Sequence, residues 1–252
     1  SGALFFRKCC KNVKKSLTKG QGAAELNLDA YGNANSVVEL ANVAGWVGNG
    51  TVVEKLNLSG SFSQNNGSTT TAAKVTIKKL SGAGNFNGPS GSDWQYGFIV
   101  NDCSEFTGSV NLKSGGHGGQ IGLIIGTEPT DYAHANYKTH ITVMADGKAN
   151  VAEDATWTPA TAVSGEVRVY GTIGGEGTIA SALTLADGAT LDTTAGTLTA
   201  NTLADLPATL TVKVANALEV GNTRNILTTT AKPNTAATTV TVKVGDSDIP
   251  AE

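Results

Sequence analysis

GTIGGEGTIASALTLADGATLDTTAGTLT, running from Gly171 to Thr199, decides how this chain is read. Within it Ile173, Ile179, Leu185 and Leu191 recur every six positions, with Gly, Asp, Ala and Thr between them. That period is too long for one amphipathic helix and too regular for a loop. It suits very short strands that send apolar side chains inward and are joined by Gly or Asp-Gly corners. A chain that repeats strand and corner in this way winds a solenoid. Ile173, Ile179, Leu183, Leu185, Leu191 and Leu198 are the expected inward positions.

Echoes of the pattern lie on both sides. Ile141-Thr-Val-Met-Ala-Asp-Gly-Lys-Ala-Asn-Val151 matches Leu183-Thr-Leu-Ala-Asp-Gly-Ala-Thr-Leu191, with Asp146 and Asp187 41 residues apart. That is two turns of a solenoid whose coils take about 20 residues. Leu58-Ser-Gly-Ser-Phe62 is echoed by Leu80-Ser-Gly-Ala-Gly-Asn-Phe86, and Thr209-Leu-Thr-Val-Lys-Val214 by Thr239-Val-Thr-Val-Lys-Val244. The offsets are 22 and 30 residues.

Composition agrees. Charged residues are 15% of the 252 and aromatics 6%, with 31 Gly. Globular domains carry about 25% charged residues, so Thr, Ser and Asn must cover this surface instead. Val, Ile and Thr favour strands, and 40% apolar residues suffice for a narrow core. The net charge of −3 offers no electrostatic footprint for nucleic acid over the whole chain. Arg7 to Lys19 is a local exception, with six Lys or Arg and no acid. No apolar run approaches the ~18 residues that span a bilayer. Leu4-Phe5-Phe6 precedes the basic cluster, the reverse of a signal peptide. The expectation is an internal fragment whose membrane association, if any, lies in flanking regions.

Cys9, Cys10 and Cys103 are the three cysteines, an odd set with neither a disulfide framework nor zinc-ligand spacing. A bridge from Cys103 to the N-terminal pair and a buried Cys103 thiol are both open readings. The chain divides into a basic N-terminal segment or cap (1–30), a β-solenoid (31–203) and terminal strands or a cap (204–252). A short helix is expected over Lys8 to Leu17. Asn85 to Tyr96 and Glu128 to Lys138 lack the repeat and are expected to leave the coil as loops. After Pro207 strict alternation suggests antiparallel strands.

Gly171-Thr-Ile-Gly-Gly-Glu-Gly-Thr-Ile179 and Leu183-Thr-Leu-Ala-Asp-Gly-Ala-Thr-Leu191 resemble the coils of bacterial autotransporter passenger domains. Leu80-Ser-Gly-Ala-Gly-Asn-Phe86 and Phe106-Thr-Gly-Ser-Val110 are similar to the autotransporter-associated β-strand repeat. The resemblance covers residues 75 to 203. It implies a right-handed parallel β-helix (β-solenoid); with the flanking segments the expected fold is all-β, with a short N-terminal cap and a C-terminal antiparallel β cap. It also implies a secreted protein at the bacterial cell surface, associated with the outer membrane. Such motifs specify coils, not chemistry. A left-handed hexapeptide-repeat acyltransferase shares the six-residue rhythm, but Leu183 stands where its template wants a small residue.

No catalytic, cofactor or metal residues emerge. Asp131, His134 and His140 are close in sequence without a ligand motif. His117 lies in Gly115-Gly-His-Gly-Gly119, too flexible to position a base. Gly174-Gly-Glu-Gly177 is a corner and not a dinucleotide fingerprint, for no helix follows. Polysaccharide lyases and glycoside hydrolases on β-helices need acids clustered on one face. Here Asp29, Asp146, Asp154, Asp187, Asp192 and Asp205 are scattered, Asp102 and Glu105 suit turns, and Arg168 is the lone Arg of the coils. That enzyme class is the alternative reading. The Asn49, Asn57 and Asn66 sequons carry little meaning in a bacterial protein.

Trp46, Trp94, Tyr96, Tyr132 and Tyr137 fall in or beside the irregular segments and are the candidate ligand contacts, because loops on a rigid scaffold carry recognition. The expected function is a non-catalytic stalk or adhesive segment that meets an extracellular glycan or a host or cell-surface protein.

Overall fold

The computed structural model describes residues 4–5, 15–17, 26–27, 37–40, 43–45, 51–58, 60–64, 73–87, 96–112, 121–160, 164–217, 219, 222–231 and 238–248. Strands dominate. The N-terminal part holds β1 (Leu4–Phe5), β2 (Lys15–Leu17), β3 (Leu26–Asn27), β4 (Val37–Leu40), β5 (Val43–Gly45), β6 (Thr51–Leu58) and β7 (Ser61–Gln64). Next come β8 (Ala73–Gly82), β9 (Asn85–Asn87), β10 (Tyr96–Phe106), β11 (Val110–Asn111) and β12 (Ile121–Ile125). A one-turn helix, α1 (His134–Tyr137), precedes β13 (Ile141–Val143), β14 (Lys148–Val151), β15 (Thr156–Thr158), β16 (Glu166–Val169) and β17 (Thr172–Gly175). The rest are β18 (Thr178–Leu185), β19 (Thr190–Asp192), β20 (Leu198–Leu203), β21 (Thr209–Val214), β22 (Leu227–Ala231), β23 (Thr239–Val244) and β24 (Ser247–Asp248).

Nearly every pairing is parallel between successive coils, so the chain is an all-β solenoid. The first flank stacks β2, β4, β6, β8, β10, β12, β13, β16, the end of β18 and the end of β20. By strand spacing this stack is about 45 Å deep. A second flank stacks β14, β17, β19, β21 and β23. A third stacks β5, β7, β9, β11, β15 and the starts of β18 and β20. β18 bends from the third flank into the first, with a shift of register between Ile179 and Ala182.

The six-residue rhythm spells one coil. Ile173 lies on the second flank, Ile179 on the third and Leu185 on the first, and Leu191 returns to pair beside Ile173, 18 residues on. Ile173, Ile179, Leu183, Leu185, Leu191 and Leu198 are all buried in the lumen. Other coils keep the stacking and not the length: Val167 pairs beside Leu183, Ile141 beside Val167, and Val212 beside Val242. Among the described residues a strict hexad template therefore describes this coil alone. Asp146 and Asp187 are indeed two first-flank coils apart, since Val143, Val169 and Leu185 stack in order.

Three expectations are corrected. Lys15–Leu17 is a strand beside β4 and not part of a helix; the rest of Lys8 to Leu17 lies outside the described residues. Asn85–Asn87 forms β9 and Tyr96 opens β10, so both ends of the expected loop are strand, and residues 88–95 lie outside the described residues. Past Pro207, β21 and β23 continue the parallel stack, and among the described residues antiparallel pairing is confined to β23 and β24. Alternation alone cannot set strand direction, because the period of 2 is the same in both kinds of sheet.

Among the described residues the lumen holds one apolar cluster. Phe86, Val110, Trp157 and Ile179 stack up the third flank, and the buried Trp157 indole donates to the Gly108 carbonyl at 3.2 Å. Cys103 is a free buried thiol, 3.3 Å from the Lys148 carbonyl oxygen, and burial pushes its pKa up to about 12. Such a thiol is inert packing. Cys9 and Cys10 lie outside the described residues.

Candidate functional site

One irregularity positions the site. β12 adds a strand to the first flank only, for Val110 of β11 pairs directly with Trp157 of β15 on the third flank. Between β12 and β13 the chain leaves the coil at Gly126 and returns at His140. The residues crossed, Gly-Thr-Glu-Pro-Thr-Asp-Tyr-Ala-His-Ala-Asn-Tyr-Lys-Thr-His, include no Leu, Ile or Val. They have nothing with which to fill a lumen, so they pack on the outer surface of the sheet.

The sheet beneath is shaped for them. Phe98, Val100, Leu123 and Ile125 face the lumen, so the alternating Gly97, Ile99, Gly122 and Ile124 face outward. Ile99 and Ile124 are nonetheless fully buried, side by side in register, where α1 lies against β10 and β12. Gly97 and Gly122 are also neighbours in register. A side chain at Gly97 would occupy the place of the Tyr132 hydroxyl, and one at Gly122 would meet the Tyr137 carbonyl. The two glycines form a trough that admits the excursion.

Its two feet are tied to different coils. Gly126 takes φ 114°, open to glycine at little cost, and its N–H donates to the Val100 carbonyl at 2.8 Å. The Thr127 N–H donates to the Asp146 carboxylate at 3.1 Å, and the Thr127 hydroxyl donates to it as well. Those bonds, hydroxyl first, hold Asp146 below the usual carboxylate range. Asp146 and Asp187 occupy corners, as their Asp-Gly context implies, and both also bridge coils: Asp187 accepts the Ala208 N–H at 2.6 Å. Lys74 pairs with Glu128 at 2.7 Å. At the return foot Thr139, at φ 76°, donates its N–H to the Ile121 carbonyl and accepts from the Ala160 N–H.

Tyr132 and Tyr137 come together. Their rings stack with centroids 5.6 Å apart and planes 9° from parallel. Burial raises both phenols above their ordinary pKa, aided by Glu128 at Tyr132 and by Asp131 at Tyr137. The Tyr132 hydroxyl is buried without a hydrogen-bond partner among the described residues. Beside the rings lies a polar row. The Arg168 Nε donates to Glu166 Oε1 at 2.6 Å, and an Arg168 Nη1 donates to the Asn136 carbonyl at 3.3 Å. Thr184 donates to Glu166 Oε2 at 2.5 Å, and the Glu166 N–H donates to His140 Nδ1 at 3.3 Å. Burial would push Glu166 up, but Thr184 and Arg168 outweigh it and hold the carboxyl low. Burial and Arg168 lower His140, against the pull of Glu166. Tyr170, 49% exposed, is close enough to Tyr137 to influence its phenol.

Trp46, Trp94 and His117 lie outside the described residues, and so does the side chain of Tyr96, whose backbone opens β10 beside Gly97. Arg168, Glu166 and Tyr170 escaped the aromatic-loop reading because they sit on or after a regular strand; the lone Arg was the available signal. Among the described residues no group of three or more His, Cys, Asp or Glu is placed to hold a metal ion. Asp102 and Glu105 lie within β10, at a shift of register, and not in a turn as expected; Asp102 accepts the Ser104 N–H at 2.9 Å and Glu105 pairs with Lys79 of the neighbouring β8. The surface therefore offers two stacked rings, one exposed ring and a charge-paired Arg, a set suited to contacting sugar faces and hydroxyls.

No family model, curated protein or solved structure matches the chain.

Proposed function

We propose that this chain is a non-catalytic stalk or adhesive segment of a secreted, surface-displayed bacterial protein. In this reading the solenoid is a right-handed β-helix of the autotransporter-passenger kind, and the excursion over β10 and β12 is its contact surface for an extracellular glycan or a cell-surface protein. The observation that carries the reading is the division of labour within one body. A continuous lumen makes a rod, and a polar, tyrosine-bearing segment is seated on its outer face. Stacked coils satisfy their backbone hydrogen bonds between neighbours, which stiffens a rod and holds a loop at a set place. The described acids favour this over the polysaccharide-cleaving alternative: Glu166, Asp146, Asp187, Asp102 and Glu105 are each engaged by a local donor.

A glycan array probed with the intact chain tests the proposal. Tyr170→Ala and Tyr137→Ala should weaken retained glycans by about tenfold, on the scale of one lost aromatic contact. Their circular dichroism should match the parent. Binding untouched by both changes, or release of reducing ends from any arrayed polysaccharide, would refute it.

A further inference from the structure

We infer that the outer face of β16 is a sugar subsite selective for neutral rings: Arg168 and Glu166 take one hydroxyl between them, Tyr170 takes the ring, and a carboxylated sugar is refused. The inference rests on the glycan-contact reading above and names the chemical class that such a contact accepts. Val167 and Val169 are buried in the lumen, so Glu166, Arg168 and Tyr170 project outward from the first flank. Alternate residues of a strand lie about 7 Å apart on one face, a span that one pyranose ring bridges. Among the described residues Tyr170 is the one exposed large apolar side chain outside β23. Its N–H donates to the Val143 carbonyl, which fixes the backbone under the ring. Ala186, whose N–H donates to the Val169 carbonyl, is too short to cover that ring from the neighbouring strand.

Arg168 is held in place with donors to spare. Its Nε donates to Glu166 Oε1 at 2.6 Å and its Nη1 to the Asn136 carbonyl at 3.3 Å, while among the described residues Nη2 donates to no acceptor. The pair stays open to solvent, its side chains 31% and 23% exposed. In a guanidinium Nη2 shares an edge with Nε, so the spare N–H groups lie beside the Glu166 carboxylate. Glu166 Oε2 takes the Thr184 hydroxyl at 2.5 Å, yet each carboxylate oxygen keeps a further lone pair. The pair therefore presents a donor next to an acceptor. A hydroxyl is both, and it can accept from Nη2 while donating to Glu166. A carboxylate drawn to Nη2 meets the like charge of Glu166, and an ammonium drawn to Glu166 meets that of Arg168.

The surrounding charge points the same way. Among the residues of the excursion and those bonded to it, Lys74 is engaged by Glu128 and Arg168 by Glu166. That leaves Lys138 against Asp131 and Asp146, so negative charge is in excess. His140, which accepts the Glu166 N–H, favours its neutral form and adds no cation. No surplus of positive charge draws an anion to this face. An exposed ring beside a neutralised donor–acceptor pair suits a neutral sugar, whose face is apolar and whose rim carries hydroxyls.

Matched polysaccharide pairs test this with the intact chain: polygalacturonate, alginate and hyaluronate, each immobilised beside its carboxyl-reduced form, together with neutral galactomannan and xyloglucan. The chain should hold one or more neutral members, and no uronate form should match its reduced partner. Affinity should change by less than about twofold across a tenfold rise in salt, because no ion pair forms with the ligand. Arg168→Ala should weaken the neutral interaction by about tenfold, on the scale of one lost charged hydrogen bond. Glu166→Gln leaves Arg168 unneutralised and should raise uronate binding about tenfold relative to the reduced form, a change of preference that support of the sheet alone would not produce. Three results overturn the inference and leave the glycan reading standing: a uronate form held by the parent as tightly as its reduced partner, an affinity that falls steeply with salt, or a Glu166→Gln protein with the parent's preference. A chain that holds no member of the panel overturns it as well, and a blank glycan array beside that result sinks the reading it rests on.

Discussion

Two connections in this molecule join neighbouring strands of the first flank and take opposite routes. From β16 to the first-flank end of β18 the chain crosses residues 170–181, and from β12 to β13 it crosses residues 126–140. The first carries Ile173 and Ile179, goes round the lumen and builds a strand on each of the other flanks. The second carries no aliphatic residue larger than Ala, apart from Pro129, and lies over the outside with a single helical turn. Similar lengths give a wall in one case and a decoration in the other. What separates them is whether the segment brings apolar side chains at the spacing of the flanks, and whether the sheet outside offers a trough.

The comparison breaks hardest at the wall. Leu185→Asp places an unpartnered carboxylate in a site that is 4% exposed, packed between coils. A loss on the order of 4–5 kcal/mol is expected in urea unfolding, at the top of the range for single changes. A milder loss, below about 1 kcal/mol, would mean the lumen admits water there.

Gly97→Val tests the trough. The new side chain takes the place of the Tyr132 hydroxyl and must displace the ring. The expected cost is about 1–3 kcal/mol, the usual range for overpacking. Amide exchange should quicken across Tyr132 to Thr139 while β16 to β19 stay protected. Equal loosening of both regions would show that the excursion supports the wall.

Acid should act on the excursion in two stages. His140 has its pKa lowered from 6.5, chiefly by burial and then by Arg168, so its neutral form is favoured and stability is lost as pH falls below that value. Protonation also removes the lone pair that accepts the Glu166 N–H. Asp146 and Glu166 are lowered from 3.8 and 4.5; their contributions are full above those values and vanish as pH drops through the depressed ones. Exchange of the Glu166 and Thr127 amides, corrected for intrinsic rates, should report the first and second stage respectively. His140→Gln should abolish the first and leave the second.

The smallest effect is expected at the half-exposed pair of Lys74 and Glu128. Glu128→Gln should cost under about 1 kcal/mol, as exposed ion pairs do, and the difference from the parent should shrink in salt.

How much of this could be read beforehand differs along the chain. The coil from Gly171 to Leu191 was legible because each apolar residue has a small or polar neighbour on both sides, so spacing alone reports the inward face. The excursion was legible only as a gap in the pattern. That Tyr132 and Tyr137 would stack was not, because the contact depends on Gly97, 35 residues before Tyr132, and on Gly122, 15 residues before Tyr137. The same holds for Arg168, which reaches the Asn136 carbonyl across the sheet.

By itself, the order of residues determined that this protein is a solenoid and which side chains fill it, since periodicity is a local property that any coil inherits from its own residues. It also marked the corners, where Asp-Gly limits the backbone to a few turns. Only the tertiary structure decided strand direction after Pro207, the omission of two flanks beside β12, and the seat of the excursion on the outer sheet. Each of those depends on which strand becomes a neighbour across a coil, and coil lengths here vary too much for one spacing to foretell it.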